Sequence, residues 1–379
     1  MRIAFYAPLK PPDHPVPSGD RQIARAILRA LAYAGHDAVV ATRLRSFDRS
    51  GDDVRQARLA RLGERIAQRL IARWRDGPRP DAWLTYHLYH KAPDAIGPVV
   101  TAALGMPYVV VEASISPSQR AGPWARGHAA TVAAARAADA IVCLNPRDVP
   151  QIRATRGAKA ATTLIAPFID VAAFAATAPT VRATHLSAAP PALVTVAMMR
   201  DGAKLASYRA LASALGTLVD LDWSLRIVGD GPQRSAVEHA FAGLAPRVSF
   251  IGACAAPAIA GVLCDSDLLV WPAIDEAIGL ALIEAQACGV PVVAGDSAGV
   301  AAVVDAGRTG LLAREGDVPA FAAAMRVLLV DAPRRARMGA AAAAYVRARH
   351  DIPTAAAALD GVLRSVVART RVIAASVIG

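Results

Sequence analysis

The sequence predicts an α/β protein built from two doubly wound, parallel-sheet domains. Three observations lead there. Short apolar runs bounded by Gly and Pro alternate with segments of helical period along nearly the whole chain, the pattern of consecutive strand–helix–strand units. Polar and charged residues gather just after the apolar runs, at the carboxyl ends of the strands, where open parallel sheets bind ligands. Finally, 379 residues with 54% hydrophobic content suffice for two cores of ordinary size.

In chain order, residues 2–7 read as the first strand. A Pro-rich loop follows and ends at Ser18-Gly19-Asp20. The next helix has apolar Ile23, Ile27, Leu28 and Leu31 at helical spacing and an end near Gly35, before a strand at 36–41. A Gly loop between first strand and first helix has the shape of a phosphate-approach site or of an ordinary tight turn, and since it is not GxGxxG a dinucleotide site of the usual kind is disfavoured. Residues 54–75 form a basic amphipathic helix. Leu59, Leu62, Ile66, Leu70 and Trp74 make its stripe, and Arg55, Arg58, Arg61, Arg65, Arg69, Arg73 and Arg75 cover the rest, with Glu64 as a lone acid. Such a helix either packs its stripe on its own sheet or lies on an anionic membrane. Strands at 82–86, 108–111 and 140–144 end at His87, Glu112 and Asn145. His87 and Glu112 are candidates for contact with a ligand. Their structural alternatives are a loop histidine and a salt-bridged acid.

Residues 178–191, rich in Pro, Ala, Thr and Ser, read as a linker between a first domain at 1–177 and a second at 192–350. The second opens with a strand at 193–197 and the loop Met199-Arg200-Asp201-Gly202-Ala203-Lys204. Two fixed cations there can offset the charge that grows on a departing diphosphate. Lys204 is one of only four lysines, so composition bias does not explain it. Strands follow at 225–228 and 248–251. Then comes the most informative stretch, 265–299. Leu268–Trp271 is a short apolar run ended by Pro272. Leu280–Ala287 reads as a helix stopped by Gly289 and Pro291, and 291–294 is the next strand. That helix opens at Gly279 rather than at a Ser, Thr, Asp or Asn cap, so its first amides lack an obvious internal acceptor. Free amides and the positive end of the helix dipole suit a diphosphate, with Glu276 and Glu284 placed to flank the same ligand; taken singly, each reads equally as a solvated loop acid and a helix-dipole acid. Helices at 320–329, 334–350 and 353–373 close the chain.

The net charge is +11, carried almost wholly by arginine. This is compatible with anionic substrates or lipid surfaces. No nucleic-acid motif occurs: there is no Cys/His finger and no RNP-type aromatic pair. The four cysteines show no metal spacing and read as small core residues. Asp220-x-Asp222 and Asp265-x-Asp267 each match a DxD pattern that can hold a divalent metal. Both precede predicted strands, the wrong end of the sheet for a site, so they read as loop acids and no metal is expected. No 18-residue apolar window is present, and the first apolar run reads as a strand rather than a leader, so a cytoplasmic protein is expected, possible peripheral contact with the inner face of the membrane through 54–75 included.

Glu276-x7-Glu284, with Gly279 between them and Gly-Val-Pro-Val-Val after, resembles the nucleotide-sugar site of retaining glycosyltransferases of family 4. The resemblance runs through most of the chain and is strongest over about 192–313. It implies the GT-B architecture: two Rossmann-like domains facing across a cleft, with a C-terminal helix, here 351–379, crossing back to the first. Pro167-Phe168-Ile169-Asp170-x3-Phe174 resembles the segment closing the first domain, and Gly229-Asp230-Gly231-Pro232 a turn of the second. By resemblance Glu276 contacts the donor sugar, Glu284 the ribose, and the amides of Gly279, Leu280 and Ala281 the diphosphate. Gly19 approaches donor phosphates and acceptor, Arg200 and Lys204 bind the diphosphate, and Ile251 and Gly252 lie by the base. Three departures stand out. Glu112 occupies the place of a His that reaches the donor sugar, Lys204 follows Arg200 by four residues instead of five, and Ala302 replaces an acid. The implied function is metal-independent retaining transfer from a nucleoside-diphosphate sugar, with a UDP-sugar first and a GDP-sugar second, to a small-molecule, glycan or lipid acceptor. No other cofactor is implied. A sugar-nucleotide epimerase or hydrolase, or a non-catalytic membrane-surface or carbohydrate-binding relative, are the alternatives.

Overall fold

The computed structural model describes residues 1–16, 18–157, 161–175 and 190–378. All but the last two residues of the expected linker at 178–191 lie outside them. The chain divides into two compact units, Met1–Ile165 with Ile352–Gly379, and Ala166–Asp351. Each carries one six-stranded sheet, parallel throughout.

In the first unit the strands are β1 (Arg2–Tyr6), β2 (Asp37–Val40), β3 (Ala82–Tyr89), β4 (Tyr108–Ser114), β5 (Ala140–Cys143) and β6 (Ala161–Leu164), in the order β2-β1-β3-β4-β5-β6. The crossover helices are α1 (Gly19–Tyr33), α2 (Asp53–Arg75), α3 (Gly97–Leu104), α4 (Ala125–Ala137) and α5 (Val149–Arg156). Their apolar faces and the sheet enclose a core of Tyr6, Trp74, Trp83, Val110 and Ile141. Helix α2 is a case in point. Ala67, Leu70, Ile71 and Trp74 are buried in that core, while Arg55, Arg58, Arg61, Arg65, Arg69, Arg73 and Arg75 are all exposed. Burying a Leu, an Ile and a Trp is worth about 1.5–3 kcal/mol each or more, so the C-terminal half of the apolar stripe is committed to the unit's own core, while Leu59 and Leu62 are half-buried.

The second unit contains the short α6 (Ala172–Ala175), then β7 (Ala192–Val196), α7 (Ala203–Gly216), β8 (Ser224–Val228), α8 (Arg234–Phe241), β9 (Val248–Gly252), α9 (Ala256–Cys264), β10 (Leu268–Trp271), α10 (Leu280–Ala287), β11 (Val292–Asp296), α11 (Ala298–Ala301), β12 (Gly310–Arg314), α12 (Val318–Val330) and α13 (Ala332–Arg349). The order β12-β11-β10-β7-β8-β9 is the doubly wound arrangement in which the winding direction reverses between the first and fourth strands. The last helix, α14 (Ile352–Ile378), belongs to the first unit and packs on α1.

The apolar runs of the sequence become strands with ends shifted by one or two residues. The larger difference is at β3 and β4. Both continue past the expected ends, so His87 and Glu112 lie within strands, on neighbouring ones whose residues on either side are paired: Tyr86 with Val111, and Leu88 with Ala113. Each of the two residues takes a left-handed turn, with φ of 61° at His87 and 63° at Glu112, and pairing resumes beyond it. No apolar pattern announces such a kink. Cys143, Cys264 and Cys288 are buried in the cores, and Cys254 is half-buried.

Candidate functional site

In each unit the reversal of strand order leaves a crevice at the carboxyl ends of two neighbouring strands, β7 and β10 in the second unit and β1 and β3 in the first. Polar side chains converge at both.

In the second unit, α7 follows β7 after a six-residue loop, and Lys204 lies in its first turn. The segment after β10 carries Glu276 across the switch point. Lys204 Nζ lies 2.5 Å from Glu276 Oε2, and the indole N–H of Trp271, the last residue of β10, donates to the same oxygen at 3.1 Å. Lys204 Nζ also sits 5.3 Å above the Trp271 ring. Oε2 is thus held from two sides. Arg200 is exposed in the loop between β7 and α7.

Helix α10 begins beside this pair. Gly279, its N-terminal cap, has φ 73° and ψ 47°, a left-handed conformation that glycine adopts without steric cost, and no side chain caps the helix. The amides of Leu282 and Ile283 reach back to Gly279 O, while those of Leu280 and Ala281 have no acceptor among the described residues. No acidic side chain occupies the first turn. This is a free helix mouth suited to an anion. One turn further, Glu284 is only 6% exposed. Burial pushes its carboxyl up from 4.5 to about 7, and among the described residues no hydrogen bond or neighbouring charge acts against it. A buried carboxylate without a donor is costly, and hydroxyl donors from a ligand would relieve it.

Ile251 and Gly252 end β9, two strands from β7 and at the edge of the sheet. Ile251 is an exposed apolar side chain there. The DxD acids occupy the amino ends of strands. Asp220 pairs with Arg326 at 2.6 Å, Asp265 with Arg226 at 2.5 Å, and Asp267 accepts from the amide of Ala192 at 2.8 Å.

In the first unit Ser18 caps α1 by accepting from the amide of Arg21, so Gly19 is the first helical residue rather than part of the loop. The next residue, Asp20, reaches across the switch point to His87, Oδ1 to Nδ1 at 2.9 Å. Burial favours neutral His87. The Asp20 bond and the charges of Asp20, Glu112 and Asp148 outweigh it and hold the imidazole above its ordinary range. Glu112 accepts from the amide of Leu144 at 2.7 Å. Burial raises its carboxyl; His87 offsets part of this and Asp148, hydrogen-bonded to it, adds to it. Two adjacent acids with one imidazolium can share protons readily. Left-handed conformations at His87 and Glu112 are strained, and such strain concentrates at functional sites.

Sequence reasoning named Glu276, Lys204, Glu284, His87 and Glu112, and missed Asp20, Asp148 and Trp271. Asp20 sits beside the glycine that was singled out, and Trp271 immediately precedes the strand-ending proline. In both cases the position is visible in the sequence and the pairing is not.

Residues 190–331 match the sequence profile of the family described as glycosyl transferases group 1. A D-inositol 3-phosphate glycosyltransferase of Stackebrandtia nassauensis is 42% identical over 100 residues, covering 26% of this chain and 23% of that protein. A GDP-mannose-dependent monoacylated alpha-(1-6)-phosphatidylinositol monomannoside mannosyltransferase of Corynebacterium glutamicum is 34% identical over 151 residues, covering 38% and 39%. These matches therefore span well under half of the relatives' length. Among solved structures, sucrose-phosphate synthase from Thermosynechococcus elongatus superposes with a TM-score of 0.74 at 20% identity, over 97% of this chain and 100% of that one. Anabaena Alr3699/HepE in complex with UDP and glucose gives 0.70 at 18%, over 96% and 100%. At such identities the likeness shows the fold. The chain has the two-unit GT-B fold, and residues 190–331 of its second unit are similar to the glycosyl transferases group 1.

Proposed function

We propose that the protein is a retaining glycosyltransferase that moves a sugar from a nucleoside-diphosphate donor to an acceptor hydroxyl without a metal ion. The observation that carries this is the grouping at the second unit's switch point: the Lys204–Glu276 pair, the uncapped mouth of α10 and the unpartnered Glu284. The relatives named above are glycosyltransferases, one of them GDP-mannose-dependent, and a similar fold has been solved with UDP and glucose.

The chemistry follows from the residues. As the anomeric bond breaks, charge accumulates on the leaving diphosphate and positive character on the sugar. The amides of Leu280 and Ala281 and the cations of Lys204 and Arg200 meet the first, and they need not reorganise during the reaction. Glu276 meets the second through Oε1, because Oε2 is occupied by Lys204 and Trp271. Glu284 accepts from ribose hydroxyls, and Gly252 with Ile251 flanks the base. Gly19 and the cluster of Asp20, His87, Glu112 and Asp148 are assigned to acceptor or sugar hydroxyls. A UDP-sugar is the first candidate donor and a GDP-sugar the second. The exposed arginine face of α2 offers anionic lipid an electrostatic contact, which vesicle co-sedimentation at low and high salt measures.

The test is a donor screen followed by two substitutions. One of the UDP-, GDP- or ADP-sugars should stabilise the protein on heating, and Glu276→Gln and Lys204→Ala should each lower transfer by about 10²-fold or more. Transfer at the wild-type rate in both variants would remove the assignment. Conversion of donor to an isomer or to free sugar, with no transfer to any added acceptor, would favour the epimerase or hydrolase alternative.

A further inference from the structure

We infer that Ser297 and Gly299, at the start of α11, are positioning residues for Glu276, acting through its backbone carbonyl. The inference rests on the role proposed for Glu276. The segment carrying Glu276 is held in an unfavourable shape. Ala273 has φ 53° and Asp275 has φ 47°, left-handed values that cost L side chains energy and persist only where the surroundings enforce them. Neither residue is a glycine, so the enforcement must come from contacts.

Those contacts are specific. Ile274 N–H donates to Ser207 Oγ at 3.1 Å, and Asp275 N–H donates to Glu315 Oε1 at 2.9 Å. The Ser297 hydroxyl donates to Glu276 O at 3.1 Å. Gly299 completes the clamp by what it lacks. A Cβ there would stand 2.5 Å from Glu276 O and 2.2 Å from Ala277 O, and both obstacles are backbone. Ser297 and Gly299 therefore grip the same peptide, one by a hydrogen bond and one by close approach. Both are buried, Ser297 at 2% exposure. Neither reaches the Glu276 carboxylate, whose Oε2 is held by Lys204 and Trp271. Displacing the peptide by part of an ångström swings the carboxylate away from both partners, and misplacements of that order can cost about 10²-fold in rate.

The experiment uses the full chain and four variants: Ser297→Ala, Ser297→Thr, Gly299→Ala and Trp271→Phe. The Trp271 indole N–H resonance, assigned by its loss in Trp271→Phe, reports the bond to Glu276 without any need for activity. It should move in Ser297→Ala and Gly299→Ala and stay in place in Ser297→Thr, which keeps the hydroxyl. In transfer assays the first two should lose kcat, by roughly tenfold for Ser297→Ala and more for Gly299→Ala, with the KM for donor and the affinity for the free nucleoside diphosphate unchanged. An unmoved indole resonance in both, or kcat and nucleotide affinity falling together without restoration by Thr, would overturn the inference. If Gly299→Ala does not fold, the Ser297 pair decides. Absence of transfer by the wild-type protein would strike the proposed activity, while the resonance would still report whether the clamp exists.

Discussion

Glu284→Gln should stabilise the unliganded protein and weaken its donor binding. Glu284 lies in α10 with its carboxyl raised by burial alone from 4.5 to about 7. The sign follows from proton linkage. Below pH 4.5 the carboxyl is protonated in both the folded and unfolded chain, and glutamine is a close substitute. Between pH 4.5 and 7 the folded chain keeps a proton that the unfolded chain has released, so stability falls as pH rises. Above about 7 the whole penalty is present. At 1.36 kcal/mol per unit it amounts to about 3 kcal/mol. The amide carries no charge and escapes the penalty. At pH 8 the variant should therefore melt about 6–12 °C higher, taking roughly 2–4 °C per kcal/mol for a unit of this size. At pH 4 the two proteins should melt together. Donor affinity should drop by about 10- to 100-fold, since a hydrogen bond to a charged acceptor is worth about 1.5–3 kcal/mol. Thermal unfolding at both pH values and donor titration read the two effects. Equal melting at pH 8, or a less stable variant, would refute the claim that this carboxylate is buried without a protein donor.

Three further outcomes follow from the same geometry. If ribose hydroxyls bind the ionised form of Glu284, affinity for a nucleoside-diphosphate sugar should rise with pH up to about 7 and level off above it; calorimetric titration from pH 5.5 to 8 giving a flat profile would contradict this. Asp20→Asn should lower the titration midpoint of His87, because it removes the bond and charge that hold the imidazole above its ordinary range. Imidazole proton resonances followed with pH measure that shift, and an unchanged midpoint would mean that Glu112 and Asp148 suffice. Transfer should proceed undiminished in excess EDTA, since Asp220 and Asp265 are committed to arginines and Asp267 to a backbone amide at the amino ends of strands. Loss of activity restored by a divalent cation would overturn the metal-independent reading.

The parts of the fold legible in the sequence are those written in local chemistry. The Leu268–Trp271 strand and the Leu280–Ala287 helix match the structure end for end, because an apolar run closed by proline and a helical run closed by glycine are signals carried by adjacent residues. The kinks at His87 and Glu112 are not of that kind. Nothing beside either residue marks a left-handed turn, and the partners their side chains meet, on α1 and after β5, lie far away in sequence. The same division applies to the candidate site. Glu276, Glu284 and Gly279 were found as a spacing motif on one strand–helix unit, and Lys204 as a rare residue type at a strand end. Their meeting depends on β7 and β10 being neighbours, a consequence of the reversed winding that sequence order alone leaves open.

That dependence on topology explains why the missed residues were missed. Trp271, Asp20 and Asp148 each look ordinary where they stand: an apolar strand residue, a first-turn helix acid, and an acid in a short turn after β5. Each becomes informative only through a partner from another element. Trp271 shows it most clearly. The residue is 5% exposed and would be read from sequence as core alone, yet its N–H must find an acceptor when buried, and the acceptor is Glu276, five residues on. A tryptophan at the carboxyl end of a parallel strand at a switch point is therefore a signal that can be searched for. Its indole requires a nearby acceptor, and in an open α/β sheet the groups within reach of that position are the ones that face the ligand.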